Sequence, residues 1–324
     1  MVTLNGFHIL AGEPYARMRE KQLAARAFGN HRLTAKRVSA DALPRQRRMT
    51  MKMRDIKKRE PLAVEAGVSR LARVEFARHP YPALLKEPAH FWDEVFIANE
   101  AYVLGEVTHP RIRRKLAYDA ASHRLFLEYI EGPTLHELTR AGVTRADPWR
   151  THRLLQSVAE TVADMHAGIF CGRPIVHNDL KPMNVLVPDA APEETRLIDF
   201  SHSYFDGNLP PFIVDKKHNP AGTARYFAPE KWEGDLTKGF PGDVFAFGVM
   251  AYYACTGKHP FDGSRAQIER AIQEATPHSP LKLAHNLLRN TVVIILACLE
   301  KNPDRRPSME KVAQVYADSA ALFK

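Results

Sequence analysis

Residues Ile175-Val176-His177-Asn178-Asp179-Leu180-Lys181-Pro182-Met183-Asn184-Val185-Leu186-Val187 form a polar loop between apolar flanks, with an Asp, a Lys and an Asn inside six positions. Further on, Leu197-Ile198-Asp199-Phe200 ends a second apolar run on another carboxylate. These residue types suit phosphoryl transfer. Magnesium takes oxygen ligands, and Asn184 and Asp199 supply them. An attacking hydroxyl needs a nearby carboxylate to accept its proton, and Asp179 can serve. Lys181 can neutralise charge on the group in transit. A polar turn explains Asp and Asn singly. It does not explain the second carboxylate at a strand end.

The elements that must carry these residues are legible in outline. Alternating or short apolar runs predict strands over 71–76, 83–86, 115–118 and 125–129. Apolar spacings of three and four predict one helix among them, over 91–107. After Gly132 the pattern turns helical. Asp147-Pro148 reads as a cap followed by proline at the first helical position. Leu154, Leu155, Val158, Val162 and Met165 then mark an apolar face. Further helices are expected over 243–256, 265–274, 284–299 and 309–322, and one over 13–28 near the start. The layout is a β-rich part, a loop-rich middle over 176–230 and a helical remainder.

The chain has 324 residues, 45% hydrophobic and 26% charged, an ordinary globular balance with room for a large core. The longest apolar run, 292–299, has eight residues, far short of the ~20 that a spanning helix needs. The start of the chain does not read as a secretory signal. Three scattered cysteines, Cys171, Cys255 and Cys298, argue against a disulfide framework or zinc site. They are expected to be core residues in a reducing, cytoplasmic setting. Residues 1–60 hold 15 Lys and Arg against 5 Asp and Glu, while the rest hold 31 against 32. The whole basic excess sits at the front. It could meet an acidic partner or simply be solvated, and Lys36-Arg37 with Arg45-Gln46-Arg47-Arg48 resembles a two-cluster nuclear import signal.

The loop 177–184 resembles the H-R-D-L-K-P-x-N catalytic loop of the eukaryotic protein kinase superfamily, and Asp199-Phe200-Ser201 resembles its D-F-G. Over 61–324 further matches follow in order. Gly222-Thr223-Ala224-Arg225-Tyr226-Phe227-Ala228-Pro229-Glu230 is similar to the segment ending in A-P-E. Asp243-Val244-Phe245-Ala246-Phe247-Gly248-Val249 is similar to D-V-W-S-F-G-V. Asn302-Pro303-Asp304-Arg305-Arg306-Pro307-Ser308 is similar to the late arginine motif, and implies an Arg306–Glu230 ion pair. The resemblance implies an α+β, two-lobed fold: a five-stranded antiparallel sheet with one helix, then a larger, mainly helical lobe. The divisions are a basic extension 1–60, an N-lobe with hinge 61–131 and a C-lobe 132–324.

The same resemblance assigns roles. Lys86, rather than Lys36, would hold the α- and β-phosphates of ATP, because a short loop joins its strand to the helix carrying its partner Glu100. Counting back, Gly67 and Val74 would belong to the G-x-G-x-x-G-x-V register, with Ser69 and Ala72 in place of two glycines. Glu128 and Ile130 would bond the adenine edge through their main chains, with Leu127 behind it. Leu104, His177 and Phe200 would stack as an apolar spine. Asn184 and Asp199 would hold Mg²⁺, and Asp179 and Lys181 would act on the acceptor. Thr223 would contact Asp179 and Lys181. The implied function is transfer of the ATP γ-phosphoryl to a Ser or Thr hydroxyl of a protein substrate, with no membrane and no nucleic-acid partner for this domain. Asn178 replaces the arginine that normally receives an activation-segment phosphate, and Ser201 replaces glycine, so activity independent of that phosphate is expected. A binding scaffold without turnover is the alternative that the degraded glycine register favours. A choline- or aminoglycoside-type small-molecule kinase is a third, opposed by the A-P-E and late arginine motifs.

Overall fold

The computed structural model describes residues 2–4, 7–9, 53–62, 69–189, 194–210, 223–284 and 287–320. Its contacts divide into two compact units, Met1–Tyr102 with Lys115–Glu128, and Val103–Arg114 with Tyr129–Lys324. The helix expected over 13–28, Lys36, both basic clusters and Gly67 lie outside the described residues. A two-stranded hairpin, Val2–Leu4 with Phe7–Ile9, precedes the main sheet.

In the first unit, β1 (Ile56–Leu62), β2 (Ser69–Phe76), β3 (His79–Pro88), β4 (Lys115–Asp119) and β5 (Arg124–Glu128) form one antiparallel sheet in the order β1-β2-β3-β5-β4. Burial alternates along β2, as it must when one face of a strand lies on a core. Ala72, Val74, Phe76, Ala83, Leu85 and Phe126 make that core. Helix α1 (Phe91–Glu106) begins where Asp93 turns back on the chain. Its Oδ2 accepts the N–H groups of Ala89 at 2.7 Å and His90 at 2.9 Å.

The boundary drawn at residue 60 needs correcting. Residues 56–60 are not an extension but the greater part of β1, paired with β2 from Ile56↔Phe76 to Leu62↔Leu71. Their positive charge concealed the strand. Ile56 packs on the core, while Lys58 reaches Glu60 at 2.6 Å and Arg59 pairs with buried Glu87. A basic edge strand is one way to discourage further strand pairing.

The second unit is built on helices α2 (Leu135–Arg140), α3 (Pro148–His166), α4 (Gly239–Thr256), α5 (Arg265–Glu274), α6 (Arg289–Cys298) and α7 (Met309–Ala320). Short strands β6 (Ile175–Val176), β7 (Val185–Leu186), β8 (Arg196–Leu197) and β9 (Tyr204–Phe205) pair as β6 with β9 and β7 with β8. Asp147 caps α3 by accepting the Arg150 N–H at 2.9 Å, with Pro148 first in the helix. The buried face Leu154, Leu155, Val158, Val162 and Met165 packs chiefly on α7. Helix α4 is buried throughout from Asp243 to Thr256. It approaches α6 so closely that a Cβ on Gly248 would stand 2.7 Å from that of Cys298. The helix expected from 284 begins only at Arg289, after an extended Leu288 that offers no capping side chain. Cys255 and Cys298 are core residues whose thiols burial pushes up to about 12, whereas Cys171 is only half-buried.

Candidate active site

In the first unit, Lys86 Nζ donates to Glu100 Oε2 at 2.8 Å. Glu100 is 1% exposed, so an unpaired charge there would be costly, and the contact locks Lys86 to α1. Strand register then decides what shares the lysine's face. Leu71 lies opposite Lys86, Arg73 opposite Leu84 and Val74 opposite Ala83, with no register break among these pairs. Side chains alternate, and cross-strand partners share a face. Val74 is therefore on the core face, fully buried with Phe76 and Leu85, and not on the Lys86 face. Val74 thus does not share the lysine's face as the glycine register implied, and Leu71 is the apolar residue opposite Lys86. Glu128 closes β5 opposite Ala83, and the division between the units falls just after it. Ile130 is half-buried at the start of the second unit.

In the second unit, the loop after β6 assembles a closed polar cluster. Lys181 Nζ donates to Asp179 Oδ2 at 2.7 Å and to Thr223 Oγ1 at 2.8 Å. The Thr223 N–H donates to Asp179 Oδ1 at 3.0 Å. Asn184 Nδ2 donates to the Asp179 main-chain oxygen at 2.9 Å and to Oδ2 at 3.2 Å. Burial opposes the charged form of Asp179, but Lys181 first and then His202 outweigh it, so its carboxyl is held below the ordinary value. The expected contact of Thr223 with both residues is present.

Local conformation explains why these types sit here. Asn178 and Asp199 have φ of 64° and 63°, the left-handed region that Asn and Asp tolerate better than most residues. The β7–β8 ladder pairs Leu186 with Arg196 and Val185 with Leu197, and the Ile198 N–H donates to the Asn184 oxygen at 3.0 Å. Asn184 is thereby registered against the residue preceding Asp199. Its amide nitrogen is engaged by Asp179, which leaves the amide oxygen as the hard donor. An amide oxygen and a carboxylate at neighbouring positions fit Mg²⁺.

Two contributors, Asp243 and Lys231, were not singled out as site residues. Asp243 accepts the N–H groups of His177 and Asn178, both at 2.8 Å, and His166 Nε2 lies 3.1 Å away. His177 is buried and its ring stands 5.0 Å from that of Phe200, with Leu104 also buried; burial pushes the imidazole below its usual value, so it stays neutral. Lys231 Nζ donates to Asn178 at two oxygens. A motif had marked Asp243, but only as a helix start, and a lone lysine after Glu230 carried no signal at all. Arg306 meets Glu230 in a buried fork of 2.6 and 2.7 Å, as expected.

The protein kinase domain family matches residues 84–316. The chain belongs to that family. A serine/threonine-protein kinase of Streptomyces coelicolor, PkaA, is 32% identical over 237 residues, covering 69% of this chain and 41% of that protein. Pkn2 of Myxococcus xanthus, of the same description, is 30% identical over 228 residues, 68% of this chain and 26% of the relative. A probable serine/threonine-protein kinase of Thermomonospora curvata, PkwA, is 33% identical over 193 residues, 59% and 24%. The chain thus spans less than half the length of these relatives. The match of this kinase domain begins at Leu84 inside β3 and ends in α7, so β1 and β2 lie before it.

Proposed function

We propose that this kinase domain transfers the γ-phosphoryl of ATP to a serine or threonine hydroxyl of a protein. The observation that carries the reading is the Asp179–Lys181–Thr223 triangle, with Asn184 registered beside Asp199. Asp179, ionised and fixed by three donors, orients the acceptor hydroxyl and takes its proton. Lys181 stabilises negative charge on the phosphoryl in transit. Lys86, held by Glu100, binds the α- and β-phosphates, and Leu71 lies on the same face. Asn184 and Asp199 would hold Mg²⁺, which when bound neutralises charge on the phosphate oxygens. The main chain at Glu128 and Ile130 would receive the adenine.

The names of the relatives and the paired Lys181 and Thr223 support a Ser/Thr rather than a Tyr acceptor. Ser201, Ser203 and Tyr204 are buried, and Ser203 Oγ donates to the His177 oxygen at 2.9 Å. Their burial supports activity that needs no phosphate at those positions. The basic segment before β1 is proposed to engage an acidic partner through charge.

The test is transfer of label from radioactive ATP to casein by the purified chain beside its Asp179→Ala form. Transfer by the first, and about 10³-fold less by the second, is expected for a positioned proton acceptor. Magnesium-dependent nucleotide binding without transfer would select the scaffold alternative.

A further inference from the structure

Lys231 is a charged residue next to the catalytic loop that phosphoryl transfer, as described above, leaves unused. It lies in the helical turn Pro229–Trp232, half-buried, with its ammonium pointing inward. Nζ donates to the main-chain oxygen and to the side-chain Oδ1 of Asn178, each at 2.9 Å. The face of the Phe227 ring covers it, 4.4 Å from the centroid. A fixed positive charge is thus spent on one neutral residue.

That residue immediately precedes Asp179. The polar groups of Asn178 are engaged from three different stretches of chain. Its N–H goes to Asp243 Oδ1 at 2.8 Å, its Nδ2 to the His202 oxygen at 3.2 Å, and both its oxygens accept from Lys231. The main-chain oxygen belongs to the peptide joining Asn178 to Asp179, and Asn178 holds a left-handed φ of 64°. Turning that peptide would swing the Asp179 carboxylate off Lys181 and Thr223. Among the contacts of this oxygen, the donor that resists the turn is Lys231.

We propose that Lys231 is a positioning residue for phosphoryl transfer: its ammonium locks the Asn178–Asp179 peptide, and with it the carboxylate that faces the acceptor. The proposal rests on the transfer function above. Loss of the ammonium proton would weaken the lock, because a neutral amine donates more weakly than a charged one. Burial pushes Lys231 down to about 8, against the pull of Asp179 and Asp243 and with the push of Lys181. The other titratable groups bordering it are His202 and Tyr204 after β8, Tyr226 before the turn, Glu230 and Asp235 on the turn's own stretch, and Lys238 before α4, whose bond to Asp304 holds it above the ordinary lysine value. His202 is pushed down to about 4, and both tyrosines are raised by burial, so none of these three titrates between pH 7 and 9. Carboxylates as a class titrate far below that window.

The experiment is steady-state transfer from radiolabelled ATP to casein by the full chain from pH 6.5 to 9.5. For the unmodified protein, kcat should fall about tenfold per pH unit above about 8, with the KM for ATP flat. Lys231→Met should lose about a hundredfold in kcat at neutral pH, the scale of a reacting group displaced by ~1 Å, and should show no alkaline limb. Lys231→Arg keeps the charge at high pH; it should retain activity and move the limb out of range. Lys301 is a second lysine pushed down to about 8, and it donates to the Ala271 and Ile272 oxygens at the end of α5. Lys301→Met should keep the limb. A flat profile above pH 8 in the unmodified protein overturns the proposal, and so does an unshifted limb in Lys231→Arg. If Lys231→Met fails to fold, these two measurements still decide. An active protein with an indifferent Lys231 rejects this lock alone, whereas no transfer at any pH rejects the transfer function itself.

Discussion

Leu71 and Val74 stand three positions apart on one strand, so they face opposite ways and should respond differently to the same truncation. Leu71→Ala should weaken nucleotide binding, by roughly three- to tenfold for the lost apolar contact, with little change in unfolding. Val74→Ala opens a gap among Phe76, Leu85 and Phe126. It should cost about 2 kcal/mol in a urea titration and leave nucleotide affinity unaltered. Equal effects of the two on affinity would contradict the register. Glu100 gives a third residue-scale test. Glu100→Gln keeps the shape but removes the charge that holds Lys86, and calorimetry of nucleotide binding should then show a loss of about tenfold.

Elements are tied to one another here by buried polar contacts as well as by packing. The Arg306–Glu230 fork joins the stretch before α7 to the turn that carries Lys231, and both partners are nearly inaccessible. Arg306 also donates to the Pro241 oxygen at 2.9 Å and, through Nε, to the Glu300 oxygen at 2.8 Å. Arg306→Ala strands a buried carboxylate and should destabilise by about 3–5 kcal/mol in denaturant unfolding. Arg306→Lys retains charge but loses the fork, so its cost should be smaller. A substitution that is silent in unfolding would mean that the turn is held by packing alone. Gly248 marks the complementary case, where α4 and α6 touch through a missing side chain. Overpacking by Gly248→Val should cost about 1–3 kcal/mol.

At the scale of the whole molecule, acid stability is set by histidines that burial keeps neutral. His152 and His177 are lowered by burial, and His202 and His259 are pushed down to about 4. An unfolded chain binds these protons near pH 6.5, the folded one only well below it. Between those values the unfolded state carries more protons, so stability must decline as pH falls, by at most about 1.4 kcal/mol per pH unit for each group. Melting temperature should drop from pH 6.5 towards 4, less steeply in His202→Gln; a flat profile would refute this. Asp179 adds to the fall later, because its lowered value preserves its contacts until pH drops through the folded-state value. Truncation tests the limits of the fold. Removing residues 1–52 should leave the sheet whole and nucleotide binding unchanged, whereas removing 1–60 deletes most of β1 and should lower the melting temperature by several degrees.

The resemblance of the chain's motifs to those of protein kinases implied the two-lobed class and the pairs Lys86–Glu100 and Glu230–Arg306, because each of these charged residues stands at a fixed place in a motif. The position of Val74 and the role of Lys231 were not legible in this way. Which face a strand residue occupies depends on register with its neighbour, and a slip of an odd number of places reverses it. Lys231 touches Asn178 across 53 positions of chain, and nothing local records such a contact. The edge strand β1 was hidden for a related reason. Its lysines and arginine read as a solvated run until β2 supplied the partner that makes them the edge of a sheet. Chemistry carried by residue type was therefore written in the order of the amino acids. Chemistry carried by orientation came into being only when distant segments packed, because hydrogen-bond geometry and burial belong to pairs of segments rather than to either alone.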